Sequence, residues 1–256
     1  MSTPPLFLVG ELPAGELAEL AGPEGRHAVT VRRLRVGEPV LLGDGRGARA
    51  LGSVVAVGRD TLGVRLLQRE LVPRPTPTVT VAQALVKGDR GELAVELATE
   101  AGVDAVLPWR AARCVARWDD GPRGARALQR WRSTALAAAK QSRRVWLPEV
   151  GEPVGTPALA ARCAALRRRG STGQRTGLAL VLHESAAVPL ADSLAEVPEV
   201  AELLLVVGPE GGVTEDELDE LTAAGACPVR LGPEVLRAST AAAVALGALG
   251  VLTPRW

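Results

Sequence analysis

The sequence predicts an α/β protein in two parts: a small β-rich domain over residues 1–72 and a parallel-sheet domain over 73–256. Three observations lead there. Short aliphatic runs separated by glycine and aspartate turns occupy the N-terminal part, the pattern of small twisted sheets. The stretch Leu71-Val-Pro-Arg-Pro-Thr-Pro77 then places prolines at alternate positions, which stiffens the chain as an extended spacer and excludes helix. Beyond it, near-continuous aliphatic strands alternate with helical patterns, as expected of a parallel sheet covered on both faces.

Composition bounds the function. A chain of 256 residues with 47% hydrophobic and 23% charged residues has the balance of a globular protein with a real core. No apolar run approaches the roughly 18 residues of a membrane span, and Met1-Ser-Thr-Pro-Pro-Leu-Phe7 lacks the pattern of an export signal. Cys114, Cys163 and Cys227 are unclustered, and His27 and His183 are the only histidines. The expectation is therefore a cytoplasmic protein without disulfides, metal site or membrane association.

Charge is laid out in blocks. Residues 109–144 hold ten Lys/Arg against Asp119 and Asp120, whereas residues 184–226 hold eleven Asp/Glu and no Lys or Arg. Such separation fits a basic surface for a polyanion, and equally two faces that neutralise each other in the fold or across a dimer.

In the first domain, strands are expected at Val40–Leu42, Gly52–Val57 and Thr61–Leu67, joined by Gly43-Asp-Gly-Arg-Gly47 and Gly58-Arg-Asp60 and able to curl into a small barrel. Before them, Arg26, His27, Arg32, Arg33 and Arg35 form a segment without an acid, either an exposed helix or a phosphate-contacting arm. In the second domain, Thr78–Val86 reads as a strand, Arg90–Ala101 as a helix stopped by Gly102, and Val103–Leu107 as a strand. Pro122–Arg144 reads as a long helix with Leu128, Trp131, Ala135 and Ala138 along one side. Pro157–Arg169 is a further helix and Ser171–Gly177 a loop. Leu178–Leu182, Leu203–Val207 and Pro228–Leu231 are buried strands, and Ala238–Val251 is a helix of small residues that permit close approach.

Three strand ends carry unusual loops: Leu182-His183-Glu184, Gly208-Pro209-Glu210-Gly211-Gly212, and Leu231-Gly232-Pro233-Glu234-Val-Leu236-Arg237-Ala-Ser239. In a parallel sheet these ends share one edge and can converge on one ligand. The glycine loop matches neither dinucleotide nor P-loop fingerprint. Thr214 and Glu217 form a Thr-x-x-Glu capping box that occupies the following helix's first donors, and Glu210, Glu215 and Asp216 add negative charge. That end repels a pyrophosphate and suits a ligand that is neutral or cationic there, such as S-adenosylmethionine, unless the loop is only a tight turn.

These residues resemble a known family. Gly208-Pro-Glu-Gly-Gly212, Leu231-Gly-Pro-x-Val-Leu-Arg237 and Thr240-Ala241, with Lys87-Gly-Asp-Arg90, Gln141-Ser142, His183-Glu184 and, at the N-terminus, His27, Arg33-Leu-Arg35 and Gly37, look like the small-subunit rRNA uridine-N3 methyltransferases of the SPOUT class. The resemblance spans nearly the whole chain. It implies an N-terminal PUA-like β-barrel and a C-terminal SPOUT domain with a deep trefoil knot, an obligate homodimer, and S-adenosylmethionine as cofactor. By matching position, Leu182, His183, Gly208 to Gly212, Leu231, Gly232, Leu236, Arg237 and Ser239 would line its pocket. The substrate would be one uridine of 16S rRNA in the small ribosomal subunit, methylated at N3. Arg26, His27, Arg32, Arg33, Arg35, Lys87, Arg90, Lys140, Gln141 and Arg143 are the expected RNA contacts.

The chain departs from the family pattern at Ser239, where an acid is common, at Glu234 in place of Arg, and at Glu96-Leu97 in place of Gln-Lys. Arg237 is the candidate catalytic residue, beside the cofactor loops and able to stabilise an imide anion; otherwise it pairs with a phosphate or with Glu210. His183 is either a general base or a hydrogen-bonding partner of cofactor or backbone. The competing readings are a SPOUT enzyme acting on another rRNA or tRNA site, and an RNA-binding nucleotide sensor without turnover.

Overall fold

The computed structural model describes residues 3–171, 176–196 and 200–256, without the side chains of 168–171 and 176; the loop expected at Ser171–Gly177 lies largely outside them. The chain forms two units: Met1–Arg74 together with Ala139–Leu147, and Pro75–Ala138 together with Pro148–Trp256.

The first unit holds one five-stranded sheet. Its strands are β1 (Leu6–Leu8), β2 (Leu17–Leu20), β3 (Pro39–Gly43), β4 (Ala48–Val57) and β5 (Leu62–Leu71), in the order β1-β3-β4-β5-β2. All pairs are antiparallel except β1 with β3. Register shifts along β4–β5 insert extra residues and bend the sheet. Alternate residues such as Val40, Leu42, Val54, Leu62 and Val64 face a core closed by Phe7, Leu20 and Ala28. The basic segment starts as a short helix, α1 (Gly22–Arg26), and widens into a π-helical turn at His27–Val31, with Arg32 N–H bonding to the His27 carbonyl. Strands β1 and β2 were not anticipated from sequence; each is too short to show a period.

Residues Ala139–Leu147 complete this unit. Lys140 Nζ pairs with Glu24, Arg143 Nη2 donates to the Thr3 carbonyl at 3.1 Å, and Trp146 Nε1 donates to the Val72 carbonyl at 3.0 Å. The Arg74 guanidinium stacks over the Trp146 ring at 4.8 Å.

The second unit holds a seven-stranded, wholly parallel sheet. Its path is β12 (Ala226–Val229), β10 (Thr176–Leu182), β11 (Val200–Val207), β6 (Thr78–Ala84), β7 (Ala105–Arg110) and β8 (Glu149–Val150), with β9 (Val154–Gly155) also on β7. The helices are α2 (Arg90–Glu100), α3 (Pro122–Gln141), α4 (Thr156–Ser171), α5 (Leu190–Ala195), α6 (Glu215–Ala223) and α7 (Ala238–Leu252). Strands β10 and β11 carry the aliphatic runs Leu178–Leu182 and Leu203–Val207, none of them exposed, whereas β6 alternates threonine and valine over Thr78–Val81 and buries both valines fully. Trp131 of α3 packs edge-on to Trp118 and lies against Gly91, where a Cβ would stand 3.0 Å from the indole nitrogen. Helix α3 stops at Gln141, three residues before the expected end; Arg143 takes a left-handed φ of 56° that a helix cannot hold. Among the described residues, no helix is long and apolar enough to cross a membrane, and no cluster of three or more His, Cys, Asp or Glu could hold a metal.

The cations of residues 109–144 are partly neutralised. Arg110 pairs with Asp120, Arg130 with Glu92, Arg132 with Glu152 and Lys140 with Glu24. None of these partners comes from the acidic block at 184–226. The first three pairs are at the surface and contribute little stability.

Candidate active site

The sheet order builds the site. Strand β10 lies between β12 and β11, all three run in the same direction, and so the loops after them open along one edge. The register fixes the level: Leu182 is opposite Val207 on one side and Val229 on the other, and His183 N–H bonds to the Val229 carbonyl at 3.0 Å. Strand β6 ends at the same level, with Gln83 opposite Val207, and delivers Val86 and Arg90 to that edge.

A cavity of about 350 Å³ lies there, large enough for a nucleoside-sized ligand. Leu182, His183, Gly208, Pro209, Glu210, Gly212, Leu231, Gly232, Leu236, Arg237 and Ser239 all line it. Gly211 does not. It turns its carbonyl to Arg113 Nη1 at 3.0 Å and its α-carbon to the Arg113 stem.

The glycines answer first to the loop itself. A Cβ on Gly208 would stand 2.9 Å from Val213 Cγ2, and Gly212 takes a φ of 74° that closes the turn, with its N–H on the Pro209 carbonyl. Helix α6 then starts with the capping box read from the sequence: Glu217 N–H donates to Thr214 Oγ1, and Thr214 N–H donates to Glu217 Oε2. Its first donors are occupied, and Glu215 and Asp216 stand in the open beside them.

Arg237 is the N-cap of α7 and is exposed. Its carbonyl accepts from the N–H groups of Thr240 and Ala241 and from Thr240 Oγ1. Its guanidinium makes no ion pair or hydrogen bond to the described residues, so the pairing with Glu210 considered from sequence is not formed. Glu210 instead receives the Lys87 N–H at 3.4 Å. Ser239 is buried at 4% exposure on the first turn of α7. Beneath that turn, Gln83 donates Nε2 to the Ala238 carbonyl at 3.4 Å and leaves its buried Oε1 without a partner.

The cavity's charged groups are mixed: Glu184, Glu210 and Glu234 against Arg90, Arg230 and Arg237, with His183. Arg90, expected among the RNA contacts, is thus a lining residue. Glu184 and Glu234, named from sequence within the converging loops but not among the expected lining, also line the cavity. Arg230 was not singled out, since a surface charge just after a strand carries no local signal of its own. His183 Nδ1 accepts from the Ser185 N–H at 3.3 Å. Cys114 lies behind the loops with Sγ on the Trp109 carbonyl. Burial raises its pKa, Glu217 and Glu210 add to the rise, and hydrogen bonds from Ala111 and Leu85 oppose it, so the thiol stays neutral.

Of the expected RNA contacts, Arg26, Arg32, Arg33 and Arg35 are exposed on the first unit, and Lys140, Gln141 and Arg143 belong to that same unit. Lys140 is engaged with Glu24 and Arg143 with Thr3, while Arg26 meets Asp60 only loosely at 3.7 Å. His27 is half-buried and packs edge-on against Phe7. Lys87 is exposed beside the cavity edge.

Residues 73–250 match the model of an RNA methyltransferase domain, and residues 20–67 match that of an RNA methyltransferase PUA domain. Ribosomal RNA small subunit methyltransferase E of Mycobacterium bovis is 53% identical, over 98% of this chain and 93% of its own length. The Bacillus subtilis protein of that name is 29% identical over 91% and 90%. The crystal structure of the Neisseria gonorrhoeae protein of that name, bound to S-adenosyl methionine, superposes with a TM-score of 0.81 at 28% identity, over 98% of both chains. A methyltransferase from Legionella pneumophila, in complex with the cofactor, also superposes with a TM-score of 0.81, at 27% identity over 98% of this chain and 99% of its own. With its two units, its cavity at the shared strand edge and relatives matching it over more than nine-tenths of its length, this chain belongs to the ribosomal RNA small subunit methyltransferase E family.

Proposed function

We propose that this protein transfers the methyl group of S-adenosylmethionine to N3 of one uridine in 16S rRNA of the small ribosomal subunit. The observation that carries the reading is the convergence of the loops after β10, β11 and β12 with the first turn of α7 on one nucleoside-sized cavity. The residues fit the cofactor. The capping box denies α6 to a pyrophosphate, and Glu184, Glu210 and Glu234 suit a ligand carrying sulfonium and ammonium charges. Once bound, the cofactor supplies an electrophilic methyl group. Leu182, His183, the Gly208–Gly212 loop, Leu231, Gly232, Leu236 and Ser239 would hold it.

Uridine N3 is a poor nucleophile while protonated, so the protein must favour loss of that proton and hold N3 in line. Arg237 does the first in this reading: its guanidinium, unpaired among the described residues, stands beside O2 or O4 and stabilises the developing imide anion. Orientation does the rest by making the encounter effectively unimolecular. The first unit, residues 1–72 of the sequence division together with Ala139–Leu147, is read as the RNA-holding module, through Arg26, His27, Arg32, Arg33 and Arg35 with Lys140, Gln141 and Arg143; Lys87 and Arg90 guide the RNA at the cavity. Neutralising phosphates with these cations makes binding salt-dependent.

The reading includes residues 73–256 as a knotted SPOUT domain, action in the cytoplasm, and a homodimer. Helix α7 buries Ala242, Ala245, Leu246 and Leu249 within its own subunit and leaves Val244, Val251 and Leu252 exposed for a second copy. A monomeric mass in light scattering at micromolar protein contradicts the dimer. The substrate is tested by mass-spectrometric mapping of N3-methyluridine in 16S rRNA from a strain lacking the gene. Loss of one mark supports the assignment, and a retained mark refutes it.

A further inference from the structure

Glu217 does more than cap α6. A capping-box glutamate needs one oxygen for the N-cap N–H, and such residues normally stand in solvent. Here the side chain is buried, with 6% exposure, and its second oxygen, Oε1, accepts from Ala112 N–H at 2.8 Å and from Thr156 Oγ1 at 2.8 Å. Thr156 Oγ1 in turn accepts from the buried Trp109 Nε1 at 3.1 Å. One carboxylate therefore joins the β11–α6 loop, the loop after β7 and the start of α4. Its charge is met by neutral donors; no ion pair to Glu217 is formed among the described residues. A buried anion of this kind is costly unless every lone pair is used. A few residues away the same two loops are tied again, by Arg113 Nη1 on the Gly211 carbonyl.

We infer that Glu217 is a positioning residue for the methyl donor: it locks the Gly208–Val213 wall of the cavity in the shape that the cofactor meets. The inference rests on the reading of that cavity as the S-adenosylmethionine site. The carboxylate is required as an acceptor-only group, because an amide in its place turns N–H donors toward Ala112 N–H or Thr214 N–H.

The test compares wild type with Glu217→Gln and Thr156→Val by calorimetry with S-adenosylmethionine and by steady-state kinetics. Each variant is expected to weaken cofactor affinity on the order of tenfold. Each is also expected to raise KM for the cofactor more than it lowers kcat, and to leave KM for the small-subunit RNA unchanged. The double variant should be no weaker than Glu217→Gln alone, since both act through one carboxylate. Wild-type affinity in both variants, with a lowered melting temperature, overturns the inference and makes Glu217 a structural staple. If Glu217→Gln does not fold, Thr156→Val decides alone, because it keeps the cap and removes only the hydroxyl that donates to Glu217 Oε1 and accepts from Trp109 Nε1. A wild-type protein that fails to bind the cofactor overturns the cavity reading itself, which affinity changes confined to the variants would not.

Discussion

Arg255 Nη1 and Asp104 Oδ2 form an ion pair at 2.8 Å with both side chains nearly out of solvent, at 4% and 6% exposure. Asp104 Oδ2 also accepts from Val79 N–H at 2.7 Å, and Arg255 donates to the carbonyls of Pro77 and Gly102. The residues that follow α7 are thereby tied to the start of β6 and the turn before β7, at the end of the sheet opposite the cavity.

Breaking this pair from one side leaves a buried charge. Arg255→Met is expected to destabilise the protein by about 3–5 kcal/mol, read from chemical denaturation. Replacing both partners by apolar residues should cost less than either single change, and a larger loss in the double variant would show that the pair is not coupled.

The Arg237 guanidinium has no ion pair or hydrogen bond among the described residues, and the cap that its backbone carbonyl provides is kept by alanine, so truncating the side chain should leave stability unchanged. Arg237→Ala is expected to lower the single-turnover methyl-transfer rate by roughly a hundredfold at saturating cofactor and RNA, the usual effect of losing one donor to a developing anion. An unchanged rate would remove Arg237 from the chemistry.

The three cysteines should separate by reactivity. Cys227 is exposed, whereas Cys114 and Cys163 are buried, and burial raises the Cys163 thiol from 9.0 to about 11. One thiol should label rapidly in the native protein at pH 8, and the other two only on unfolding. In the unfolded chain Cys163 loses its proton near 9, before the folded chain does. Stability from this thiol is therefore intact below pH 9 and declines as pH rises toward 11, by at most about 1.4 kcal/mol per pH unit. The Cys163→Ala variant should show a shallower decline over that window in denaturation experiments.

The first unit should not fold from residues 1–74 alone. That fragment lacks Lys140 on Glu24, Arg143 on Thr3 and Trp146 on Val72, and exposes Gly47, over which the Trp146 ring lies. Its far-UV circular dichroism is expected to show no cooperative thermal transition. A sharp transition would mean that Ala139–Leu147 is dispensable.

Much of the second unit was legible because local rules decide it. Continuous aliphatic runs mark β10 and β11, since strands covered on both faces have no polar side to show. Thr214 and Glu217 announce the start of α6, since a capping box acts over three residues. The lining at His183, Gly208–Gly212, Leu231, Gly232, Leu236, Arg237 and Ser239 followed from three strand ends sharing a direction, and from a resemblance carried by those same loops. Gly211 was the exception; its neighbour Arg113 lies 98 positions earlier in sequence.

What the sequence determined by itself was the longer strands and helices and the start of α6, because periodicity, proline and glycine conformational limits and helix caps act over a few residues; β1, β2, β8, β9 and α5 are too short to show a period. The tertiary structure decided how those pieces are used. It set the strand order β12-β10-β11-β6-β7-β8, moved Ala139–Leu147 into the first unit, brought Arg90 to the cavity, and buried the second oxygen of Glu217 between Ala112 and Thr156. The Glu217 partners lie 105 and 61 residues away along the chain, beyond the reach of any local pattern. Only the packing of whole elements, driven by burial of their apolar faces, brings such groups within hydrogen-bonding distance.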